Sequence, residues 1–137
     1  MAKFALFEHH AKKAGLHWDL RFEMPDSKNW ASFAFRKNPM EIKQGEKFSC
    51  IRTNDHSEKE ALFTGIIPDG EYGAGVLKKI DSGECKVETL KKTRAAVDFK
   101  GSKLKGLHHF ISVSIFGGYK DSKKNMFTFF KGRVEKV

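Results

Sequence analysis

A chain of 137 residues, 39% hydrophobic and 31% charged, fits one domain over residues 1–137 around a single core and is too apolar to be wholly disordered. Lys and Arg number 26 against 17 Asp and Glu, a formal charge of +9 that points to a polyanionic partner, nucleic acid before any other. No basic amphipathic helix, signal-peptide core or apolar run of membrane-spanning length is present, so the expectation is a cytoplasmic protein with no membrane partner.

Short alternating apolar runs predict strands over Phe4–Phe7, His17–Met24, Trp30–Phe35, Phe48–Thr53, Val76–Ile80, Val87–Leu90, Ala95–Phe99, Leu107–Ile115 and Met126–Phe130. Pro25-Asp26-Ser27, Pro68-Asp69-Gly70, Asp81-Ser82-Gly83 and Gly117-Gly118 supply turns between them. Helical signal is confined to one short turn within Pro39–Lys47, and the polar stretch Gly117–Asn125 reads as a mobile loop. Eight or nine strands in so short a chain make it all-β, a barrel or a sandwich. Cys50 and Cys85 are far apart and lack zinc-site spacing, which suits a reduced compartment; neither has an adjacent His to activate a thiolate.

The segment most suggestive of chemistry is His17-Trp18-Asp19-Leu20-Arg21-Phe22-Glu23-Met24. Strand periodicity puts Trp18, Leu20, Phe22 and Met24 on one face and His17, Asp19, Arg21 and Glu23 on the other, roughly 7 Å apart at each step. His17 and Asp19 are spaced to share a divalent metal, and the short linker from Ala11 to Leu16 lets His9 or His10 return beside them as a third ligand. Two imidazoles and a carboxylate suit Mn²⁺, Fe²⁺, Co²⁺ or Zn²⁺ better than Ca²⁺. Extended geometry at Arg52-Thr53-Asn54-Asp55-His56 predicts a second polar row of Arg52, Asn54 and His56. Gly65 through Gly75 is too glycine-rich for a regular strand, lacks the Lys-Ser/Thr of a P-loop, and reads as a tight barrel corner. His108 and His109 have no acidic neighbour and read as structural or surface residues.

Three segments, His9-His10-Ala11, Leu16-His17-Trp18-Asp19-Leu20-Arg21-Phe22-Glu23 and Gly65-Ile66-Ile67-Pro68-Asp69-Gly70-Glu71-Tyr72-Gly73-Ala74-Gly75, together with Asp55-His56, resemble the 3′-phosphoesterase domain of bacterial DNA ligase D and its stand-alone homologues. The resemblance extends over most of the chain. It implies a compact barrel of about eight strands with a surface groove and little helix. The implied activity is Mn²⁺-dependent healing of DNA or RNA strand 3′ ends: removal of a terminal ribonucleoside, then hydrolysis of the 3′-phosphate to a hydroxyl. Co²⁺ and Zn²⁺ are the other metals to expect, and a separate DNA ligase or polymerase is the implied protein partner.

On matching positions, the resemblance assigns His9, His17 and Asp19 to the metal, with His10 as the alternative to His9, and Arg21 and His56 to the scissile phosphate. Several positions depart from the pattern. The spacer between His9 and His17 is longer than in ligase-fused members, Phe48 beside Lys47 replaces an expected arginine, and Glu60 replaces an expected tyrosine. Arg52 or Lys47 is then the candidate for the missing phosphate contact. The N-terminal extension of ligase-fused members has no match in the eight residues before His9, which leaves the phosphatase step better supported than the ribonuclease step. Two other classes fit fewer features: a non-catalytic barrel that binds nucleic-acid ends, and a non-haem Fe(II) oxygenase whose facial triad would use the same His and Asp types but would not explain the charge.

Overall fold

The computed structural model describes residues 1–116 and 125–133. Its strands are β1 (Ala2–Ala11), β2 (Gly15–Glu23), β3 (Trp30–Phe35), β4 (Phe48–His56), β5 (Gly65–Ile67), β6 (Gly75–Lys91), β7 (Arg94–Gly101), β8 (Lys105–Ser112) and β9 (Met126–Lys131). A single α-helical turn, α1 (Glu58–Ala61), and two 3₁₀ turns, Pro39–Glu41 and Val113–Phe116, complete the described elements. The sheet runs β1-β2-β3-β4-β9-β8-β7-β6, all antiparallel, and pairing of β6 back to β1 closes it into an eight-stranded barrel. β5 is the extra strand, added along the first residues of β6.

Inward-facing residues fill the barrel with phenylalanine. Phe33 lies 4.4 Å from Phe110 and 5.4 Å from Phe127, Phe35 4.9 Å from Phe129, and Phe4 5.0 Å from Phe99, ring centre to ring centre. These tilted and edge-on pairs combine large apolar area with favourable quadrupole geometry. His108 sits fully buried among them, stacked on Phe129 at 5.0 Å. His109, one residue on, faces outward, so the pair alternates across the sheet as a strand requires.

The run Phe4-Ala5-Leu6-Phe7 does not alternate in polarity, because both faces of β1 are covered. Phe4 and Leu6 enter the main core, while Ala5 and Phe7 join Leu77 and Ile67 in a small second cluster outside the barrel wall. That outer cluster underlies the face of β1 and β2 that bears His9, His17 and Asp19.

Several local expectations change. Val76–Ile80 and Val87–Leu90 are parts of one 17-residue strand, β6, because Asp81-Ser82-Gly83 does not turn the chain. The Asp81 carboxylate instead accepts backbone N–H groups of Ser102, Lys103 and Leu104 from the β7–β8 connection, and Gly83 pairs with Gly101 where the strands approach closely. The glycine-rich corner contains the short strand β5, and Leu107–Ile115 ends as a strand at Ser112. The loop expected over Gly117–Asn125 lies, apart from Asn125, outside the described residues. Cys50 and Cys85 are buried and free, and burial pushes both thiols up, Cys85 to about 12, leaving little nucleophilic thiolate. Among the described residues no helix is long and apolar enough to cross a membrane.

Candidate metal centre

The β1–β2 hairpin builds the site through its register. His9 stands directly opposite His17, and Phe7 opposite Asp19, so all four share the outer face. Gly15 closes the turn with φ +77°, a conformation that suits a residue without Cβ. The two imidazole rings lie 4.5 Å apart, and one donor atom from each of His9, His17 and Asp19 falls within 4.8 Å of the other two. His9 and Asp19 are buried, and His17 is the most open of the three.

Asp19 is contacted from three sides: His9 Nδ1 at 3.0 Å from Oδ2, His17 Nε2 at 3.4 Å from Oδ1 and Arg21 Nη2 at 3.7 Å from Oδ2. Burial alone would raise its proton affinity, but hydrogen bonds to His17 and His9 and the nearby Arg21 charge hold it well below the ordinary carboxylate range. His9 is held between two acceptors, Asp19 Oδ2 and the Gly73 carbonyl at 2.7 Å from Nε2. Its proton affinity is raised, chiefly by the hydrogen bond to Asp19 and against the effect of burial. One candidate ligand atom from each of the three residues converges on one point, as a cation site requires, and a cation there would take the place of the His9 ring proton that faces Asp19.

His10 stands on the other face of β1, exposed, with Nε2 2.6 Å from Glu8 Oε1, and is not part of this cluster. The structure brings His9, not His10, to His17 and Asp19.

Gly73 ties the glycine-rich connection to the centre. It has φ +79°, and a Cβ there would lie 3.4 Å from His9 Cε1. The same connection is fastened to the β1–β2 turn by a hydrogen bond from Lys12 N to Ala74 O and by the Lys12–Asp69 ion pair.

Arg21 extends the face one step along β2. Its Nη1 donates to the Glu60 and Ala61 carbonyls at the end of α1, at 3.2 and 3.3 Å, and its guanidinium lies over the Phe7 ring. Burial disfavours its charge, which Asp19 partly offsets. Ser57 caps α1, with reciprocal bonds to Glu60; this helix corrects the expectation that helical signal is confined to Pro39–Lys47, and the Ser57-x-x-Glu60 capping pattern is the signal that marks it.

His56 reaches the same face by an irregularity. Ser32 pairs with Thr53 and Phe33 with Arg52, but Trp30 pairs with His56, so β4 carries one extra residue. This bulge moves His56 onto the face of Ser32 and Arg21. The expected row of Arg52, Asn54 and His56 is thereby corrected. Arg52 points toward the barrel end, 3.7 Å from Met24 Sδ and 3.3 Å from Asp55 Oδ1, with its guanidinium over Phe33. Burial first, then the Arg21 charge, lower the proton affinity of His56.

Lys47 immediately precedes β4, two strands along the sheet from β2, and is not part of the cluster. Phe48 is buried in the core beneath Lys37, so it offers no polar contact. Ser32 was not legible in sequence as a site residue. Its Oγ and Arg21 Nε are both buried without a partner among the described residues, on cross-strand neighbours of this face. Unpaired buried donors are uncommon in folded proteins and often mark a place completed by a ligand or a water.

The family described as DNA Ligase D 3'-phosphoesterase domain matches residues 7–112 of the chain. The "Multifunctional non-homologous end joining protein LigD" of Mycolicibacterium smegmatis is 40% identical over 89 residues, 65% of this chain and 11% of that protein. The protein of the same name in Pseudomonas aeruginosa is 30% identical over 123 residues, 85% of this chain and 14% of that protein. The chain thus spans a small fraction of the length of these relatives.

Proposed function

Because this chain belongs to the DNA Ligase D 3′-phosphoesterase domain family, we propose that it is a metal-dependent 3′-phosphoesterase acting on DNA or RNA strand ends. The observation that carries the reading is the convergence of His9, His17 and Asp19 beside Arg21 and His56 on one outer face. Two imidazoles and a strongly acidic carboxylate suit Mn²⁺, with Co²⁺ and Zn²⁺ as alternatives. When bound, such an ion would act as a Lewis acid on a phosphoryl oxygen and lower the pKa of water.

The chain's own residues supply the rest. Phe7 forms an apolar floor under Asp19 and Arg21, which strengthens the electrostatics above it. The carbonyls of α1 fix the Arg21 guanidinium beside Asp19, where its charge would offset that of a phosphate held at the centre. His56 is neutral near pH 7 in the free protein; an arriving phosphate dianion raises its proton affinity, so it takes up a proton from solvent, and the imidazolium so formed gives that proton to the leaving oxygen and ends neutral again. Removal of a terminal ribonucleoside would use the same groups on a diester. A separate DNA ligase or polymerase would then act on the healed end.

The test is phosphate release from a primer ending in 3′-phosphate, against the same primer with a 5′-phosphate, with Mn²⁺, Co²⁺, Zn²⁺ or chelator. The reading expects metal-dependent release from the 3′ end alone. Retained binding with no release under any metal would favour a non-catalytic barrel for nucleic-acid ends.

A further inference from the structure

Lys47 lies in an open groove of about 380 Å³ on the barrel wall opposite the metal centre. The connection before β4 and the ends of β8 and β9 form it, and Lys47, His109, Phe130, Lys131 and Arg133 line it, with Glu46 the one carboxylate among the described residues. His109 and Phe130 are cross-strand partners with rings stacked at 5.2 Å and 27°. Gly132 keeps the floor open, since a Cβ there would come within 3.1 Å of His109 Nε2 and of the Leu107 side chain. The strand end is held in place by Gly132 N donating to Leu107 O at 2.7 Å, and Gln44 Nε2 donates to Lys131 O at 3.4 Å.

The antiparallel registers put this groove at the same end of the barrel as the β1–β2 turn that carries the metal centre. Turns at that end add the exposed cations Lys12, Lys13, Arg36, Lys37 and Lys103, so positive charge continues from the groove around the rim toward His17. Cations around a stacked aromatic pair are the chemistry of single-strand sites, in which ammonium and guanidinium groups follow the phosphates and rings receive bases. The volume is that of a pocket for a small ligand such as a nucleotide unit. An acidic peptide would use the charges but not the stacked rings.

We propose that this groove binds a nucleotide unit of a single-stranded nucleic acid, with its phosphate held by Lys47, Lys131 and Arg133 and its base laid against the His109–Phe130 pair. This rests on the reading of the chain as acting on nucleic-acid ends and gives the strand a second anchor away from the centre.

The experiment is fluorescence anisotropy of a labelled single-stranded DNA over a range of salt, with chelator present so that no turnover contributes. Lys47→Glu and Lys131→Glu are each expected to weaken binding about tenfold and to reduce the salt slope by about one. Phe130→Leu is expected to weaken it about fivefold with the slope unchanged. Thermal melts check folding, and the exposed Lys47→Glu keeps the test valid if Phe130→Leu unfolds. Unchanged affinity in both lysine variants would overturn the proposal. Poly-glutamate binding as tightly as DNA, with no dependence on Phe130, would also overturn it in favour of a protein-binding surface. Failure of the phosphoesterase reading shows up separately, as no phosphate release by the unmodified protein.

Discussion

At the scale of single residues, the centre depends on what each side chain is denied as much as on what it touches. Asp19 is buried and surrounded by two imidazoles and a guanidinium, so it remains a carboxylate where an isolated buried acid would not. Asp19→Asn keeps the shape and removes the charge; metal affinity, measured by titration calorimetry, is expected to fall roughly 10²-fold or more. Arg21→Lys is not a conservative change, because a lysine cannot reproduce the fork that meets the Glu60 and Ala61 carbonyls through Nη1 while Nη2 faces Asp19. Steady-state kinetics on a 3′-phosphate primer should show kcat reduced by about 10²-fold with a smaller change in KM. The His17-x-Asp19-x-Arg21 face was legible from period-2 spacing because β2 is regular there. Ser32 and Gly73 were not, since a lone serine in an apolar strand and a glycine in a turn carry no signal until their neighbours in space are known.

At the scale of elements, two devices aim the site: the bulge in β4 and the one-turn helix α1. Regular alternation would have kept His56 on the face of Arg52; the extra residue between Thr53 and His56 reverses that. Deleting Asn54 removes the bulge and leaves His56 opposite Trp30 in a regular ladder, so His56 should stay on the face of Arg21 and the pH profile of kcat should keep the limb that His56 contributes while the protein stays folded. Sequence periodicity cannot announce a bulge of this kind, because one unpaired residue leaves the apolar pattern upstream unaltered. Ser57→Ala removes the cap of α1, a loss of about 1 kcal/mol in local helix stability. Faster amide exchange at Ala61 and Leu62 is the expected readout. The β1–β6 seam sets the tightest limit, since a Cβ at Gly75 would overlap the His10 carbonyl and its φ is +145°. Gly75→Ala should lower stability by roughly 3 kcal/mol or more, read from urea unfolding.

At the scale of the whole molecule, the phenylalanine core and the charge have different consequences. His108 is enclosed by Phe99 and Phe129, its Nδ1 donates to Gly106 O at 2.9 Å, and its Nε2 has no partner among the described residues. Burial pushes its pKa down to about 4 from 6.5. The unfolded chain takes up this proton below pH 6.5 while the folded chain does not until about pH 4, so stability is full above 6.5 and declines as pH falls through that window. The loss is on the order of 3 kcal/mol, and His108→Leu should remove it from the difference between unfolding curves at pH 7 and pH 4.5. The all-β class and most strand positions were legible because alternation survives in every barrel strand with one solvated face. The length of β6 was hidden by Asp81-Ser82-Gly83, a turn signal that the structure spends on clamping the β7–β8 connection. The excess of positive charge predicts salt-sensitive binding of nucleic acid, with affinity falling steadily as ionic strength rises.

The most direct test of the centre is to measure bound Mn²⁺ by electron paramagnetic resonance and 3′-phosphate release on the same samples, for the unmodified protein and for His17→Ala and Asp19→Asn. The account predicts one tightly bound ion in the unmodified protein, with ion and activity lost together in both variants while thermal melts remain cooperative. Full 3′-phosphate release by either variant without bound metal would contradict it.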